Sequence, residues 1–295
     1  MTGTSFERMD YYRGLIDRAL EAVIPAPITS DPASLVREAM RYSLLSGGKR
    51  VRPMLTLAFC ELCGGGAERA LLFACAIEMV HTYSLIHDDL PCMDDDDLRR
   101  GNPTNHKVYG EDIALLAGDG LLTKAFEIAL SAEDQTAAVQ AALILAQCAG
   151  DAGMVGGQCA DLTSEGAEVD LELLRAMDMG KTVALIDAAC HTAHAAGKAD
   201  ARLLKAAGRY AGGLGMAFQI RDDILDVRGS VERLGKNVGM DSIREKRNYV
   251  SLLGVEKAQN LVDEYTASAL AALDEFSGDT AFLRELALLL AQREN

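Results

Sequence analysis

The stretch AERALLFACAIEMVHTYSLIHDDLPCMDDDDLRR, residues 67–100, decides how the rest of the chain must fold. From Ala67 to Asp89 it is apolar nearly all round a helix, which predicts a central helix rather than a peripheral one. Pro91 has no amide hydrogen and disfavours helix in the residue before it, so the regular helix is expected to end or distort there. Six aspartates lie within ten residues around this break, and an arginine pair follows them.

Length and composition predict a folded protein and exclude several classes. The chain has 295 residues, 49% hydrophobic and 25% charged, which is ordinary for a globular protein. Its net charge of −15 argues against nucleic acid as a partner. We find no apolar leader and no run of eighteen apolar residues, so we expect no stable membrane insertion and a cytoplasmic location. The seven cysteines favour reduced, mostly buried thiols over a zinc site.

Helical periodicity runs along almost the whole chain, and no alternation of β-branched residues indicates a strand. Without a linker, a low-complexity tract or a repeat, the sequence predicts a single all-α domain over residues 1–295. Helices are expected over 6–23, 32–45, 53–63, 67–89, 113–131, 135–151, 171–196, 201–227, 256–275 and 280–293, with a looser segment over 229–239.

A second acidic cluster, DDILD, lies far along the chain at residues 222–226. Asp222 and Asp226 are four residues apart, so on a helix their carboxylates share one face. In the first cluster six residues separate Asp88 from Asp94, which would place them well apart around a straight helix. The proline break removes this objection, because a distorted turn can bring Asp94 back towards Asp88.

Like charges this close repel one another unless water or a cation relieves them. Either cluster alone is as well explained by a solvated acidic surface as by a metal site. Two such clusters, each on an apolar helix end, favour metal. Oxygen-rich sites with few other ligands are typical of Mg²⁺, a hard cation that keeps water and bridges phosphates.

The basic residues indicate what the metal would accompany. GGKRVRP, residues 47–53, puts three cations on a tight turn at a predicted helix N-terminus, a favourable place for phosphate. Lys181 falls inside an apolar helix, where an unpaired ammonium is costly, whereas a surface position is a fair expectation for Arg50. Other cations adjoin the clusters, at Arg99, Arg100, Lys236 and Lys246. Acidic sites surrounded by cations predict a pocket for diphosphates that enter with Mg²⁺.

Six ordered motifs resemble the trans-prenyl diphosphate synthase family, and most closely its bacterial farnesyl diphosphate synthase group. They are GGKRVRP, EMVHTYSLIHDDLPCMDDDDLRRGNPTNHKVYGE, GMVGGQCAD, GKT, FQIRDDILD and LGKNVGMD. The resemblance covers roughly residues 37–253. It implies the all-α isoprenoid synthase bundle around a central cavity, usually a homodimer, with the aspartate clusters facing across that cavity.

The resemblance also implies roles for particular residues. Three Mg²⁺ ions would be bound by Asp88, Asp94 and Asp222, with Asp89, Asp223 and Asp226 in support. Isopentenyl diphosphate would contact Lys49, Arg52, His81 and Arg100, although a lone His on an apolar helix is more often a core residue. The diphosphate of an allylic substrate would contact Arg99, Lys181, Lys236 and Lys246.

The implied reaction is a head-to-tail condensation. The allylic diphosphate ionises, the double bond of isopentenyl diphosphate attacks the resulting cation, and the departing diphosphate takes the proton. Thr182, Gln219 and the carbonyl of Lys181 would present oxygen dipoles to the cation, in an apolar cavity that excludes water.

Product length is implied by the two positions that would form the floor of the growing chain's pocket, Tyr83 and Ser84. A bulky aromatic at Tyr83 favours the fifteen-carbon farnesyl product. The alternatives are a geranylgeranyl diphosphate synthase, a terpene cyclase and a non-catalytic partner subunit. A cyclase would need neither Lys49 nor Arg52, and intact aspartates in both clusters speak against a subunit without activity.

Overall fold

The computed structural model describes residues 3–28, 30–164, 167–196, 200–234 and 248–293. Within these ranges the regular elements are helices apart from one pair of two-residue strands, which confirms the all-α fold class. The chain divides into two compact units, Glu7–Leu145 with Thr192–Lys198, and Met1–Phe6 with Ala146–His191 and Ala199–Asn295. The single domain expected from the sequence stays a prediction.

The first unit is organised on the apolar helix that contains most of residues 67–89. Its helices are most of α1 (Gly3–Val23), α2 (Ser34–Leu44), α3 (Val51–Leu62), α4 (Leu71–Asp88), α5 (Asn105–Tyr109), α6 (Glu111–Leu130) and most of α7 (Gln135–Ala149). The eight consecutive residues 73–80 of α4 are all buried, so every side of the helix is covered. Because α4 packs against α3 and α6, it is the core helix that its sequence predicts.

The second unit is organised on one long helix. Its helices are α8 (Met154–Thr163), α9 (Leu171–Asp178), most of α10 (Ala184–Ala196), α11 (Ala201–Leu234), α12 (Tyr249–Leu253), α13 (Val255–Ala272) and α14 (Ala281–Gln292). The helix α11 packs against α13 and α14. Ile220 and Ile224 of α11 join Tyr249 and Val262 in the core of this unit.

Several predicted boundaries are wrong, each for a local reason. The second helix begins at Ser34 rather than Pro32, because Asp31 binds the amide of Ala33 and shapes a turn instead of capping the helix. The glycine-dotted stretch that became α8 was not predicted to be helical. The helix α11 runs through residues 229–234, where a looser segment was expected. Residues 235–239 of that expected segment lie outside the described residues.

Two helical stretches of the described chain, 67–88 and 135–163, are long and apolar enough to cross a membrane by length and composition alone. A core helix of a soluble protein meets the same criterion. The first stretch is mostly buried within the protein, as such a core helix is.

Candidate active site

The first acidic cluster starts where α4 stops. Asp88 is the last residue of the helix, and the chain then turns through Pro91. The turn folds back, so that the amide of Asp94 donates to the carbonyl of Asp88 at 2.9 Å. Asp95 takes a left-handed backbone with φ of 50°. The return of Asp94 to Asp88 is the geometry that the proline break predicts.

A short hairpin follows the cluster and was missed from the sequence. Its strands, β1 (Leu98–Arg99) and β2 (Asn102–Pro103), pair antiparallel around Arg100 and Gly101, whose φ angles are 55° and 80°. Positive φ at both central residues is characteristic of a type I′ turn. The guanidinium of Arg100 donates to the carbonyl of Gly47, so the hairpin adjoins the basic turn of residues 47–53.

The hairpin also pairs Arg99 with an aspartate of the cluster. Nε of Arg99 donates to Oδ1 of Asp89 at 2.9 Å, Nη2 donates to the same oxygen, and Nη2 reaches Oδ2 of Asp96 at 3.2 Å. Burial raises the pKa of Asp89, and the pairing with Arg99 opposes that rise. Of the aspartates assigned to metal here, Asp94 is exposed, whereas Asp89 is buried in an ion pair.

Arg50 was expected on the surface, and this expectation is wrong. Its guanidinium is buried, and it donates to Oε1 of Glu78 at 2.7 Å, to Oδ1 of Asp17 at 3.0 Å and to the carbonyl of Leu44 at 2.9 Å. Arg50 is therefore the structural arginine of the basic turn. The binding role of the other two cations of the turn, Lys49 and Arg52, stays a prediction.

Arg52 and His81 form a half-buried pair. Nη1 of Arg52 lies 3.4 Å from Nε2 of His81, and because arginine can only donate, this nitrogen accepts and the proton sits on Nδ1. Burial and the nearby charges of Arg52 and Arg100 hold the pKa of His81 well below its usual value, so the imidazole is neutral at pH 7. Nε of Arg52 is buried without a hydrogen-bond partner among the described residues. A buried donor without a partner, close to the charged guanidinium of Arg100, suits an anionic ligand.

The second acidic cluster lies on α11 in the other unit. Asp223 is buried, and its Oδ2 accepts from the amide of Tyr249 at 2.9 Å. Asp222 is half-buried and pairs with the guanidinium of Arg293, whereas Asp226 is exposed. Sequence reasoning assigned no role to Arg293, which lies 71 residues further along the chain.

Arg293 is held at this cluster by further contacts. Its guanidinium carbon lies 4.1 Å from the centre of the Phe218 ring. Nε and Nη2 of Arg221 donate to the carbonyl of Arg293 at 2.9 and 2.7 Å. The end of the described chain is therefore fixed to α11 by two arginines.

Lys181 lies in a single turn of π-helix, Met179–Val183, that joins α9 to α10. It is half-exposed rather than buried, and Nζ donates to Asp161 of α8. The partner explains how an ammonium is tolerated in an apolar segment. Asp161 closes the GMVGGQCAD motif, so the motif itself was the signal for this missed residue.

Thr182 and Gln219 come together as the resemblance implies. Oγ1 of Thr182, which is buried, donates to Oε1 of Gln219 at 3.1 Å. The hydrogen bond fixes the orientation of both oxygens. Lys236 and Lys246 lie outside the described residues.

Among the residues that the structure describes, no three His, Cys, Asp or Glu side chains gather as a complete metal cage. Mg²⁺ does not need such a cage, because it keeps several waters and usually takes only one or two carboxylates besides substrate phosphates. The carboxylate oxygens of Asp88 and Asp94 in the first unit are the hard donors that it prefers, and so are those of Asp222 in the second. The donor chemistry of each cluster therefore fits Mg²⁺.

The two predicted floor residues, Tyr83 and Ser84, lie five and four residues before Asp88 on α4. Tyr83 is buried, with 6% of its surface exposed. Ser84 is half-buried, and its hydroxyl donates to the carbonyl of His81 at 2.9 Å. The phenol is therefore packed inside the protein, whereas the serine hydroxyl is hydrogen-bonded to a backbone carbonyl of its own helix.

Known proteins resemble the chain over nearly all of its length. The polyprenyl synthetase family model matches residues 33–276. The farnesyl diphosphate synthase of Geobacillus stearothermophilus is 46% identical over 268 residues, 90% of each chain. A chloroplastic geranylgeranyl pyrophosphate synthase of Capsicum annuum is 48% identical over 285 residues, 95% of this chain and 76% of that protein. The apo structure of an FPP/GFPP synthase from Zymomonas mobilis has a TM-score of 0.89 at 37% identity and covers 98% of this chain and 100% of that one.

The family match and these relatives place the chain among the enzymes of isoprenoid chemistry. The chain belongs to the polyprenyl synthetase family. It is a trans-prenyl synthase, a transferase of isoprenoid biosynthesis that takes isopentenyl and allylic diphosphates as substrates.

Proposed function

We propose that the chain makes farnesyl diphosphate from isopentenyl diphosphate and dimethylallyl or geranyl diphosphate. The observation that supports this product is the buried phenol of Tyr83, five positions before Asp88. A farnesyl diphosphate synthase at 46% identity is consistent with it. The second candidate product is geranylgeranyl diphosphate, because relatives such as the synthases of Capsicum annuum and Catharanthus roseus, 48% and 43% identical, carry that name.

We assign the chemistry to residues as follows. When bound at Asp88, Asp94 and Asp222, Mg²⁺ would neutralise the charge of the leaving diphosphate. Lys49, Arg52 and Arg100 hold isopentenyl diphosphate beside the neutral imidazole of His81. Arg99 and Lys181 leave their aspartate partners to bind the allylic diphosphate. These lysines and arginines carry positive charge that offsets the negative charge of the diphosphates. An acidic chain can therefore bind two diphosphates.

The carbocation needs oxygen dipoles and no nucleophile. Thr182 and Gln219 meet this need, because their hydrogen bond uses the hydroxyl proton and leaves lone pairs on both oxygens. An oriented dipole acts without reorganising during the reaction, which is the main source of electrostatic stabilisation in enzymes. The displaced diphosphate takes the final proton, so no side chain is assigned as the base.

Product analysis of the purified chain tests this proposal. The chain is incubated with Mg²⁺, labelled isopentenyl diphosphate and, separately, dimethylallyl, geranyl or farnesyl diphosphate. Farnesyl diphosphate is expected from the first two primers, with no extension of the third. Extension of the third primer to twenty carbons would replace the proposed product by the second candidate. No condensation with any primer would indicate a subunit that acts only with a partner.

Tyr83→Ala is expected to lengthen the product, because it removes the ring proposed to stop the growing chain. The ratio of twenty- to fifteen-carbon product should rise about tenfold or more, the scale on which a pocket discriminates small changes of apolar length. Chromatography of the products with geranyl diphosphate as primer measures the ratio. An unchanged ratio would remove Tyr83 as the floor.

We also propose that the active form is a homodimer. Large apolar side chains of α6 and α7 are exposed, at Leu115, Leu116, Leu130, Val139 and Leu143. Exposed apolar side chains of this size are typical of a surface that a second copy covers. Light scattering should give a mass twice that of the chain, and a monomer would refute the assignment. The cytoplasmic location stays a proposal, to be checked by cell fractionation.

A further inference from the structure

The imidazole of His87 fits into a notch on the neighbouring helix. Its Nε2 lies 3.0 Å from the carbonyl of Leu115 on α6, and because a carbonyl only accepts, this nitrogen carries the proton. Gly118 lies one turn along the same helix, and a Cβ added there would overlap the imidazole ring. Because Gly118 has no side chain, it leaves a space on α6, and the imidazole of His87 fills that space.

The same imidazole packs against Tyr83. The two ring centres are 5.7 Å apart and the planes are inclined by 81°, an edge-to-face arrangement. Side chains on a helix lean towards its N-terminus, so His87 lies over the turn that carries Tyr83, four residues earlier. The phenol is thus confined on this side by a ring that α6 itself holds in place.

We propose that His87, seated on Gly118, is the positioning residue that fixes the ring of Tyr83 and thereby sets product length. This inference rests on the proposed function, in which Tyr83 ends chain growth. Without the imidazole, the phenol gains room to turn towards α6 and the pocket deepens. With a methyl group on Gly118, the imidazole must move off α6 towards the phenol, and the pocket becomes shallower.

Two variants at His87 separate the shape of the ring from its hydrogen bond. His87→Ala should raise the ratio of twenty- to fifteen-carbon product about tenfold. His87→Phe keeps an aromatic ring in the notch while losing the bond to Leu115, and its product ratio should stay at the wild-type value. A ratio of products from one reaction does not depend on the amount of active enzyme, so a general loss of activity would not imitate this result.

A matched pair of glycine variants tests the notch with His87 in place. Gly118→Ala should shift the products towards geranyl diphosphate. Gly120→Ala is the control, because a methyl group there meets the flexible end of Met40 rather than His87, and its products should be unchanged. Both changes add the same group to the same helix, so they alter helix propensity equally.

The Tyr83→Ala variant keeps the two levels of the proposal apart. If Tyr83→Ala lengthens the product while His87→Ala does not, or if Gly118→Ala behaves like Gly120→Ala, the positioning role of His87 is overturned and the floor role of Tyr83 stands. If Tyr83→Ala itself leaves the product unchanged, Tyr83 is not the floor, and the role of His87 that rests on it is overturned as well. Should His87→Ala fail to fold, the glycine pair decides alone.

Discussion

Asp88→Asn is expected to reduce condensation at least about a hundredfold, the scale of losing one preorganised electrostatic group. The same change should alter the free energy of unfolding by less than about 1 kcal/mol. Asp88 is the last residue of α4, where a negative charge opposes the helix dipole, so its carboxylate is not there to stabilise the helix. Turnover of geranyl diphosphate and thermal unfolding, measured on the same preparation, test both parts.

Asp95→Asn is the matched control for this experiment. Asp95 belongs to the same cluster, is exposed, and has a positive φ that asparagine also adopts readily. Its variant removes one unit of negative charge from the same turn and should retain activity within a few-fold of wild type. Equal losses in the two variants would show that the total charge of the cluster matters and that Asp88 has no special role.

Glu78→Gln should destabilise the protein by about 3 kcal/mol, the lower end of what breaking a buried ion pair costs. Glu78 and Arg50 are both almost fully buried, so the variant leaves a buried guanidinium with Asp17 as its one charged partner among the described residues. The loss should be read as a lower urea midpoint at pH 7. The full cost is moderated because Asp17 remains in contact.

Glu127→Gln provides the comparison for this stability prediction. Glu127 pairs with Lys124 on the surface of α6, with 63% of its side chain exposed. An exposed pair contributes about 0–1 kcal/mol, so its loss should hardly move the urea midpoint. Similar midpoints for the two variants would mean that the buried pair does not hold the basic turn.

The end of α4 and the return of Asp94 were predictable because a proline acts on the residues next to it. The type I′ hairpin was not, because strands of two residues show no alternation along the sequence. The helix α8 was hidden by glycines, which lower helix propensity although packing here overrides it. The π-helical turn at Lys181 does not interrupt the apolar pattern of residues 171–196. The sequence therefore predicts one helix where the structure has α9, the π-helical turn and α10.

The sequence indicates candidate residue types for the site, but it does not indicate which residues they pair with. Whether an arginine is buried depends on residues far along the chain: Arg50 is held by Glu78, 28 residues away, and Asp222 by Arg293, 71 residues away. Local pattern carries no information about such pairs. The family resemblance singles out Tyr83 by its position before Asp88, but the imidazole that packs against it could be found only from the structure.

Because Arg293 already pairs with Asp222, the Mg²⁺ proposed to bind there would have to displace a guanidinium. Its apparent affinity is then reduced by the fraction of molecules in which that guanidinium has left. By linkage, the same cation loosens the end of α14 by an equal free energy. Amide hydrogen exchange in the last turn of α14 and cation binding at Asp222 would therefore measure the same equilibrium.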